Sequence, residues 1–139
     1  MEMSDLYLNE IGVTKGSVVE EAVNNNIKGE TSEVGLYLAM ARQAQREGLA
    51  EAAEVLKRIA YEEADHAARF VELNGLISTS TKENIEKMLA GEKMANQKKH
   101  DASVRAHEAG IGEAAGFFAS SSRDEGRHAQ MLTGLLERL

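Results

Sequence analysis

A short motif, Glu-x-x-His, occurs twice in the chain, and each copy follows a lone glutamate at the same distance along the sequence. The six residues are Glu30, Glu63 and His66 in the first copy and Glu92, Glu125 and His128 in the second. A spacing of three residues places the glutamate and the histidine of each motif on one helix face, one turn apart. Both side chains can then bind the same ion, which makes each copy a candidate metal-ligand set.

These polar residues lie on helix faces that are otherwise apolar. Ile59 and Phe70 flank the first motif at helical spacing, and Ile27 and Val34 flank its lone glutamate in the same way. An unpaired carboxylate in such a position costs several kcal/mol even after relaxation. Two divalent cations would balance the four carboxylates, and a ligand set of oxygen and imidazole without sulfur favours iron or manganese. Zinc fits the same atoms less distinctively.

Two simpler interpretations stay open for these residues. A single Glu-x-x-His is more often a surface ion pair than a ligand set, and the chain could also be a structural bundle without metal. The repetition of the motif, with the same spacing and on an apolar face both times, favours a site for two metal ions. His100 and His107 have no glutamate three residues earlier, so we expect them to be solvated.

Four helices must position the six residues. We predict helices over residues 17–47, 51–74, 81–109 and 113–139. Ser17 and Ser80 each have a glutamate three residues later, which is the pattern of a capping box. Gly48, Gly75 and Gly110 follow the first three predicted helices, where glycine commonly ends a helix. Four helices with short links predict an all-α antiparallel bundle.

The chain also contains an internal repeat. The shift that places Gly48 on Gly110 also places the first ligand set on the second, and it overlays about 45 residues without a gap. We interpret this as two related helical hairpins, the first over about residues 17–74 and the second over about residues 81–139. Together they are expected to form one domain over residues 1–139.

Composition excludes several classes of protein. The chain of 139 residues has no cysteine, which excludes disulfides, thiolate zinc sites, iron–sulfur clusters and a cysteine nucleophile. Its net charge of −7 argues against nucleic-acid binding. No apolar stretch is long enough for a membrane span and no segment is typical of a secretory signal, so we expect a cytoplasmic protein. Residues 1–16 show no sustained period and are expected to form an irregular arm.

From about Val18 onward the sequence resembles the diiron domain of the rubrerythrin family. The Gly-Glu pairs at residues 29–30 and 91–92 and both Glu-x-x-His motifs match that family's pattern. The resemblance implies a ferritin-like four-helix bundle that holds two iron ions, with manganese or a mixed pair as alternatives. It further implies that Glu63 and Glu125 bridge the two ions, that Glu30 and Glu92 are terminal ligands, and that each histidine completes one ion.

The chain departs from the family pattern in ways that shape the predicted chemistry. It lacks the cysteines of a rubredoxin module, so the resemblance implies a separate rubredoxin-type electron donor. Ala95 stands where the family usually has a glutamate that exchanges with a histidine, and Glu33 occupies the repeat-equivalent place. We therefore hypothesise that Glu33 exchanges with His128, with surface exposure as its alternative. Tyr37 matches a family tyrosine that could hydrogen-bond a ligand carboxylate, and we expect His100 at the corresponding place on the third helix.

The link between the two hairpins is short for a ferritin-like bundle. In such a bundle the second and third helices run parallel, so the link has to cross from one end of the bundle to the other. At the usual rise per helical residue this distance is roughly 27 Å. Residues 75–81 reach only about 23 Å when fully extended. We therefore predict a homodimer in which the hairpins are domain-swapped. Fraying of either helix end would instead allow closure within one chain.

The predicted function is a non-haem diiron peroxidase that reduces hydrogen peroxide to water, as the resemblance implies. The alternative is a ferritin-like protein that oxidises and stores iron, and an oxygenase acting on an organic substrate is a third interpretation. The sequence alone leaves open the native metal, the physiological electron donor and the oxidant.

Overall fold

The computed structural model describes residues 10–139 and contains four helices in this range. They are α1 (Glu20–Arg46), α2 (Ala50–Leu73), α3 (Thr81–Glu108) and α4 (Gly112–Leu136). No strand occurs among the described residues. The prediction of an all-α protein is confirmed, and each predicted helix is present with ends that differ by only a few residues.

Glycine ends three of the helices, as predicted. Gly48, Gly75 and Gly110 have positive φ angles of 76°, 64° and 76°. After each glycine, the next backbone N–H donates to the carbonyl five residues earlier, as in the bond from Leu49 to Ala44 at 2.8 Å. This is the Schellman motif, in which a left-handed residue lets the chain turn back to satisfy a free helical carbonyl.

The two capping boxes have different outcomes. Ser80 caps α3, and its hydroxyl accepts a hydrogen bond from the Glu83 N–H at 3.3 Å. The capping box at Ser17 is wrong, because α1 begins only at Glu20 and Val19 holds the N-cap position. The Ser17 hydroxyl instead donates to the Thr14 carbonyl at 2.7 Å and accepts from the Val19 N–H at 3.2 Å. Ser17 thus stabilises the turn that leads into α1.

The first hairpin consists of α1 packed against α2. Its buried cluster is made of small side chains, Ala41, Ala44 and Ala53, with Leu56 packed beside them. Small residues allow the two helix backbones to approach closely. In the second hairpin α3 packs against α4.

The segment before α1 is anchored to the end of α2. Residues 10–19 form turns rather than helix, which agrees with the irregular arm predicted there, while residues 1–9 of that arm lie outside the described residues. The Gly12 and Thr14 N–H groups donate to the carbonyls of Glu72 and Leu73 at 2.8 and 2.9 Å. Asn74, which is 3% exposed, joins this segment to α1. Its amide donates to the Glu20 carbonyl at 2.9 Å, and its carbonyl oxygen accepts from the Thr14 hydroxyl.

The second hairpin has a polar clasp that the first one lacks. The Asn96 amide donates to the Ser122 carbonyl at 2.6 Å, and the Ser122 hydroxyl donates to the Asn96 carbonyl at 2.7 Å. The repeat-equivalent residues in the first hairpin are the apolar Val34 and Ala60. Gly126 lies against the clasp, since a Cβ atom there would stand 3.2 Å from the Asn96 amide nitrogen. The two hairpins therefore share a backbone plan but not all of their interior contacts.

Each hairpin also carries exposed apolar side chains. Leu36 and Tyr61 of the first hairpin are 61% and 63% exposed, and Phe117 and Met131 of the second are 73% and 63% exposed. Faces of this kind are what helical bundles bury. The domain-swapped dimer and the single domain over residues 1–139 stay predictions. Within the described range, no helix combines the length and the apolar character that a membrane crossing requires.

Candidate metal centre

The first ligand set is assembled within the first hairpin. Glu30 projects from α1, and Glu63 and His66 project from α2, with one ligand atom of each residue within 4.8 Å of the others. The His66 Nδ1 atom lies 3.6 Å from the Glu30 Oε2 atom and 3.9 Å from the Glu63 Oε2 atom. The spacing along the sequence therefore brings the lone glutamate opposite the Glu-x-x-His pair. We call these three residues the first triad.

The second ligand set has the same construction in the second hairpin. Glu92 projects from α3 and Glu125 and His128 from α4, again within 4.8 Å of one another. The His128 Nδ1 atom lies 3.5 Å from the Glu92 Oε2 atom and 3.3 Å from the Glu125 Oε2 atom. We call these three residues the second triad. In both triads Nδ1 is the imidazole nitrogen that faces the carboxylates, so the sequence repeat extends to the atoms that would bind an ion.

The carboxylates of the triads are largely buried, with side chains 15–19% exposed, whereas the imidazoles of His66 and His128 are 59% and 43% exposed. Two carboxylate oxygens, Glu30 Oε2 and Glu92 Oε2, are buried without a hydrogen-bond partner among the described residues. They occupy repeat-equivalent positions. Buried polar atoms are nearly always paired, and an orphaned carboxylate oxygen facing an imidazole and a second carboxylate is an arrangement that a divalent cation satisfies. The residues of both triads fit a bound metal ion.

The two carboxylates of the second triad have pKa values that are shifted in opposite directions. A hydrogen bond with Glu125, together with burial, raises the pKa of Glu92. The same hydrogen bond, together with one from Lys99, lowers the pKa of Glu125 to about 2. The two shifts are opposite because the carboxylates lie close together and Lys99 stabilises the ionised form of Glu125 only. A divalent cation would favour the ionised form of both carboxylates.

The remaining residues considered for the site belong to neither triad. They are Glu33, Tyr37, His100 and His107. Glu33 is exposed on α1 and belongs to neither triad, and its exchange with His128 stays a prediction. Tyr37 is half-buried, and no hydrogen bond joins its hydroxyl to a ligand carboxylate in the part of the chain that the structure describes. Its role also stays a prediction. His100 and His107 are exposed and lie outside both triads, which agrees with the expectation that they are solvated.

Lys99 is the residue that sequence reasoning missed. Its ammonium group forms an ion pair with the Glu125 Oε1 atom, and its side chain is only 33% exposed. The repeat contained the signal, because the shift that takes Glu30 to Glu92 also takes Tyr37 to Lys99 and not to His100. Lys99 is thus the repeat-equivalent of Tyr37, and the expectation that His100 takes the place of the family tyrosine on the third helix stays a prediction.

An all-helical chain with two Glu and Glu-x-x-His triads falls in the class of ferritin-like proteins that bind metal through carboxylates. Comparison with known proteins defines the family within that class. The rubrerythrin family pattern matches residues 21–136, and the chain belongs to the rubrerythrin family. An uncharacterized protein of Methanocaldococcus jannaschii is 62% identical over 138 residues, which are 99% of this chain and 98% of that one. Reverse rubrerythrin-1 of Clostridium acetobutylicum is 43% identical over 131 residues, which are 92% of this chain and 72% of that one.

Proposed function

We propose that this protein is a non-haem diiron peroxidase that reduces hydrogen peroxide to water with electrons from a separate rubredoxin-type donor. The reaction consumes two electrons and two protons per peroxide and yields two water molecules. The observation that supports it best is the pair of equivalent triads, each with an orphaned carboxylate oxygen, in a chain of the rubrerythrin family. The family relationship also supports a role in protection from oxidative stress.

Each triad would supply two carboxylates and one imidazole to one iron ion. Four glutamates and two neutral histidines carry a formal charge of −4, which two divalent ions balance. When bound, iron supplies the electrons that cleave the O–O bond. The bridging positions of Glu63 and Glu125 are assigned by the family resemblance and remain a prediction.

Cation binding at the second triad would be linked to the protonation of its carboxylates. The pKa of Glu92 is raised and that of Glu125 is lowered, and the binding of a cation would favour the ionised form of Glu92, because a carboxylate ligand must be ionised. The largely buried position of the carboxylates limits the access of bulk water to the reacting groups. Both properties suit a redox site in which the charge of the metal and the protonation of the ligands change together.

Peroxide could reach the first triad through an open cavity in the first hairpin. The cavity has a volume of about 270 Å³ and is lined by Glu30, His66, Arg69 and Phe70. This volume admits a molecule as small as hydrogen peroxide without rearrangement. The Arg69 guanidinium is held beside the cavity by an ion pair with Glu72 at 3.0 Å. The volume lies just below the range of roughly 300–1,000 Å³ that is typical of pockets for larger organic ligands, which favours a small oxidant.

The test begins with anaerobic reconstitution with ferrous iron, followed by measurement of bound iron and of the rate of oxidation by peroxide. Steady-state turnover is then measured with reduced rubredoxin as the donor. We expect two irons per chain, rapid oxidation and catalytic turnover. Two bound irons without acceleration by peroxide would refute the peroxidase. Many irons per chain with little turnover would favour iron oxidation and storage.

A matched pair of variants on α2 makes the test specific. Glu63 belongs to the first triad, whereas the adjacent Glu62 is exposed and pairs with Arg58 at 3.6 Å on the helix surface. We expect Glu63→Gln to abolish turnover and to lower the iron content. Glu62→Gln removes the same charge one residue away and should retain both. Equal loss in both variants would mean that charge, and not ligation, causes the effect.

A further inference from the structure

Lys99 makes the second triad electrostatically different from the first. Its ammonium group forms an ion pair with the Glu125 Oε1 atom, and the two side chains are 33% and 15% exposed. Lys99 lies seven residues after Glu92 on α3, so it is on the same helix face two turns further along. A ligand carboxylate of the second triad therefore already has a cationic partner when no metal is bound.

The first triad has no such partner. At the repeat-equivalent position it has Tyr37, which is uncharged, and no lysine or arginine among the described residues forms an ion pair with Glu30 or Glu63. Two ligand sets with the same three side chains and similar distances thus differ by one unit of positive charge at contact distance.

We propose that Lys99 is a built-in cation that competes with metal at the second triad, so that the first triad fills first and the second fills with lower affinity. This inference rests on the proposed metal-binding function. A divalent ion in the second triad must either displace the ammonium group from Glu125 or bind close to it. Displacement loses an ion pair, and close approach adds repulsion between like charges. The first triad has no ion pair of this kind to displace, and the nearby Arg69 guanidinium is paired with Glu72 at 3.0 Å, so the cost is smaller there.

The ion pair distinguishes the two triads, although each has one carboxylate oxygen without a partner among the described residues. The ammonium group compensates the charge of Glu125 in the second triad, and no lysine or arginine among the described residues does this for a carboxylate of the first. Lys99 thereby makes the ion in the second triad bind more weakly, and exchange more readily, than the ion in the first. Its role is to set the order and the affinity of loading.

The experiment is a calorimetric titration of the metal-free protein with Co²⁺, monitored in parallel by the visible absorption of the bound ion. For the wild type we expect two steps of one ion per chain each, the second weaker than the first. Lys99→Met should tighten the second step by about tenfold, the order of magnitude for one unit charge at a half-exposed contact. The first step should stay unchanged.

The chain offers a close control in Lys98, which is exposed on the neighbouring helix face. Lys98→Met changes the net charge by the same amount and should leave both steps unchanged. Lys99→Arg retains the charge and should keep the second step weak. Lys99→Gln is a second neutral variant and should reproduce the effect of Lys99→Met. Helix content measured by circular dichroism verifies that each variant is folded.

The other outcomes are equally decisive. If the neutral variants change neither step, or tighten the first step instead of the second, the competition by Lys99 is refuted while the metal centre stands. An equal effect of Lys98→Met would also refute it. If the wild type binds fewer than two ions, the proposed metal centre fails and this inference fails with it, and the wild-type stoichiometry distinguishes that case from the others.

Discussion

Replacing Glu30 by glutamine should stabilise the protein without metal and destabilise it with metal. The Glu30 Oε2 atom is buried and has no hydrogen-bond partner among the described residues, so the carboxylate destabilises the metal-free fold. Glutamine has nearly the same shape, carries no charge, and adds an N–H donor that can face the Glu63 carboxylate. The same substitution removes an anionic ligand, and the two effects therefore have opposite signs.

The magnitudes follow from the burial of the site. An unsatisfied buried polar group costs about 1–3 kcal/mol, and because the Glu30 side chain is 16% exposed we expect the lower end, about 1 kcal/mol, to be recovered in Glu30→Gln. A metal ion at 100 times its dissociation constant stabilises the wild type by about 2.7 kcal/mol. A loss of affinity of about 100-fold would reduce that gain to about 0.4 kcal/mol in the variant. The wild type should then be the more stable protein by about 1 kcal/mol with metal present.

The assay is urea unfolding followed by the helical circular dichroism signal, in EDTA and in excess Co²⁺, at one fixed protein concentration. We expect the order of the unfolding midpoints of the wild type and Glu30→Gln to reverse between the two conditions. Glu62→Gln is the control, since an exposed charge should change the free energy of unfolding by less than about 0.5 kcal/mol in either condition.

Three results would contradict this reasoning. If Glu30→Gln is less stable than the wild type in EDTA, the carboxylate is satisfied in the metal-free fold and the orphaned oxygen does not indicate a cation site. If Co²⁺ stabilises the variant as much as the wild type, Glu30 is not a ligand. A reversal in the control as well would show that net charge alone controls the midpoints.

Three further predictions concern pH, the helix ends and the buried polar network. Since the pKa of Glu92 is raised, its contribution to the stability of the metal-free fold is full below the ordinary pKa of glutamate and is lost as the pH rises through the raised value. Glu92→Gln should therefore remove this part of the pH dependence of the urea midpoint in EDTA. Gly48→Ala should destabilise by about 1 kcal/mol because of the positive φ angle, whereas Gly35→Ala, inside α1 and in open space, should stabilise by up to about 1 kcal/mol in the same unfolding assay. Asn74→Ala should lower the free energy of unfolding by about 2 kcal/mol, because it removes a buried side chain that makes hydrogen bonds to three residues, and thermal unfolding would measure the loss.

Local patterns were sufficient to predict the helices and the composition of the triads. The helical period, the glycine after each of three helices and the three-residue spacing of Glu63 and His66 all describe geometry within a few residues of one helix. Such geometry is determined by backbone sterics and hydrogen bonding, which depend little on the rest of the fold. The internal repeat then extended the prediction from one hairpin to the other, because residues with the same spacing in two similar hairpins occupy equivalent positions.

Two residues have contacts that their local sequence pattern does not predict. Ser17 has the sequence of a cap, but its hydroxyl is engaged by the Thr14 carbonyl and the Val19 N–H, which only the folded turn reveals. The local sequence shows Asn74 only as the residue that follows a helix. Its burial depends on the docking of residues 10–19 against α2. The contacts of Asn74 join residues that are distant in sequence, so no local pattern contains them.

The sequence by itself determined the helical class of this protein, the glycine-terminated ends of three helices and the six residues of its two triads, because each of these follows from periodicity and spacing along one helix or from the repeat. Only the tertiary structure decided that one oxygen of Glu30 and one of Glu92 lack partners among the described residues, and that Lys99 reaches Glu125 and not the solvent. The physical reason is that burial and pairing depend on how far each side chain extends across the gap to the neighbouring helix. That gap is a property of helix packing, and it decides that Lys99 on α3 reaches the Glu125 carboxylate on α4.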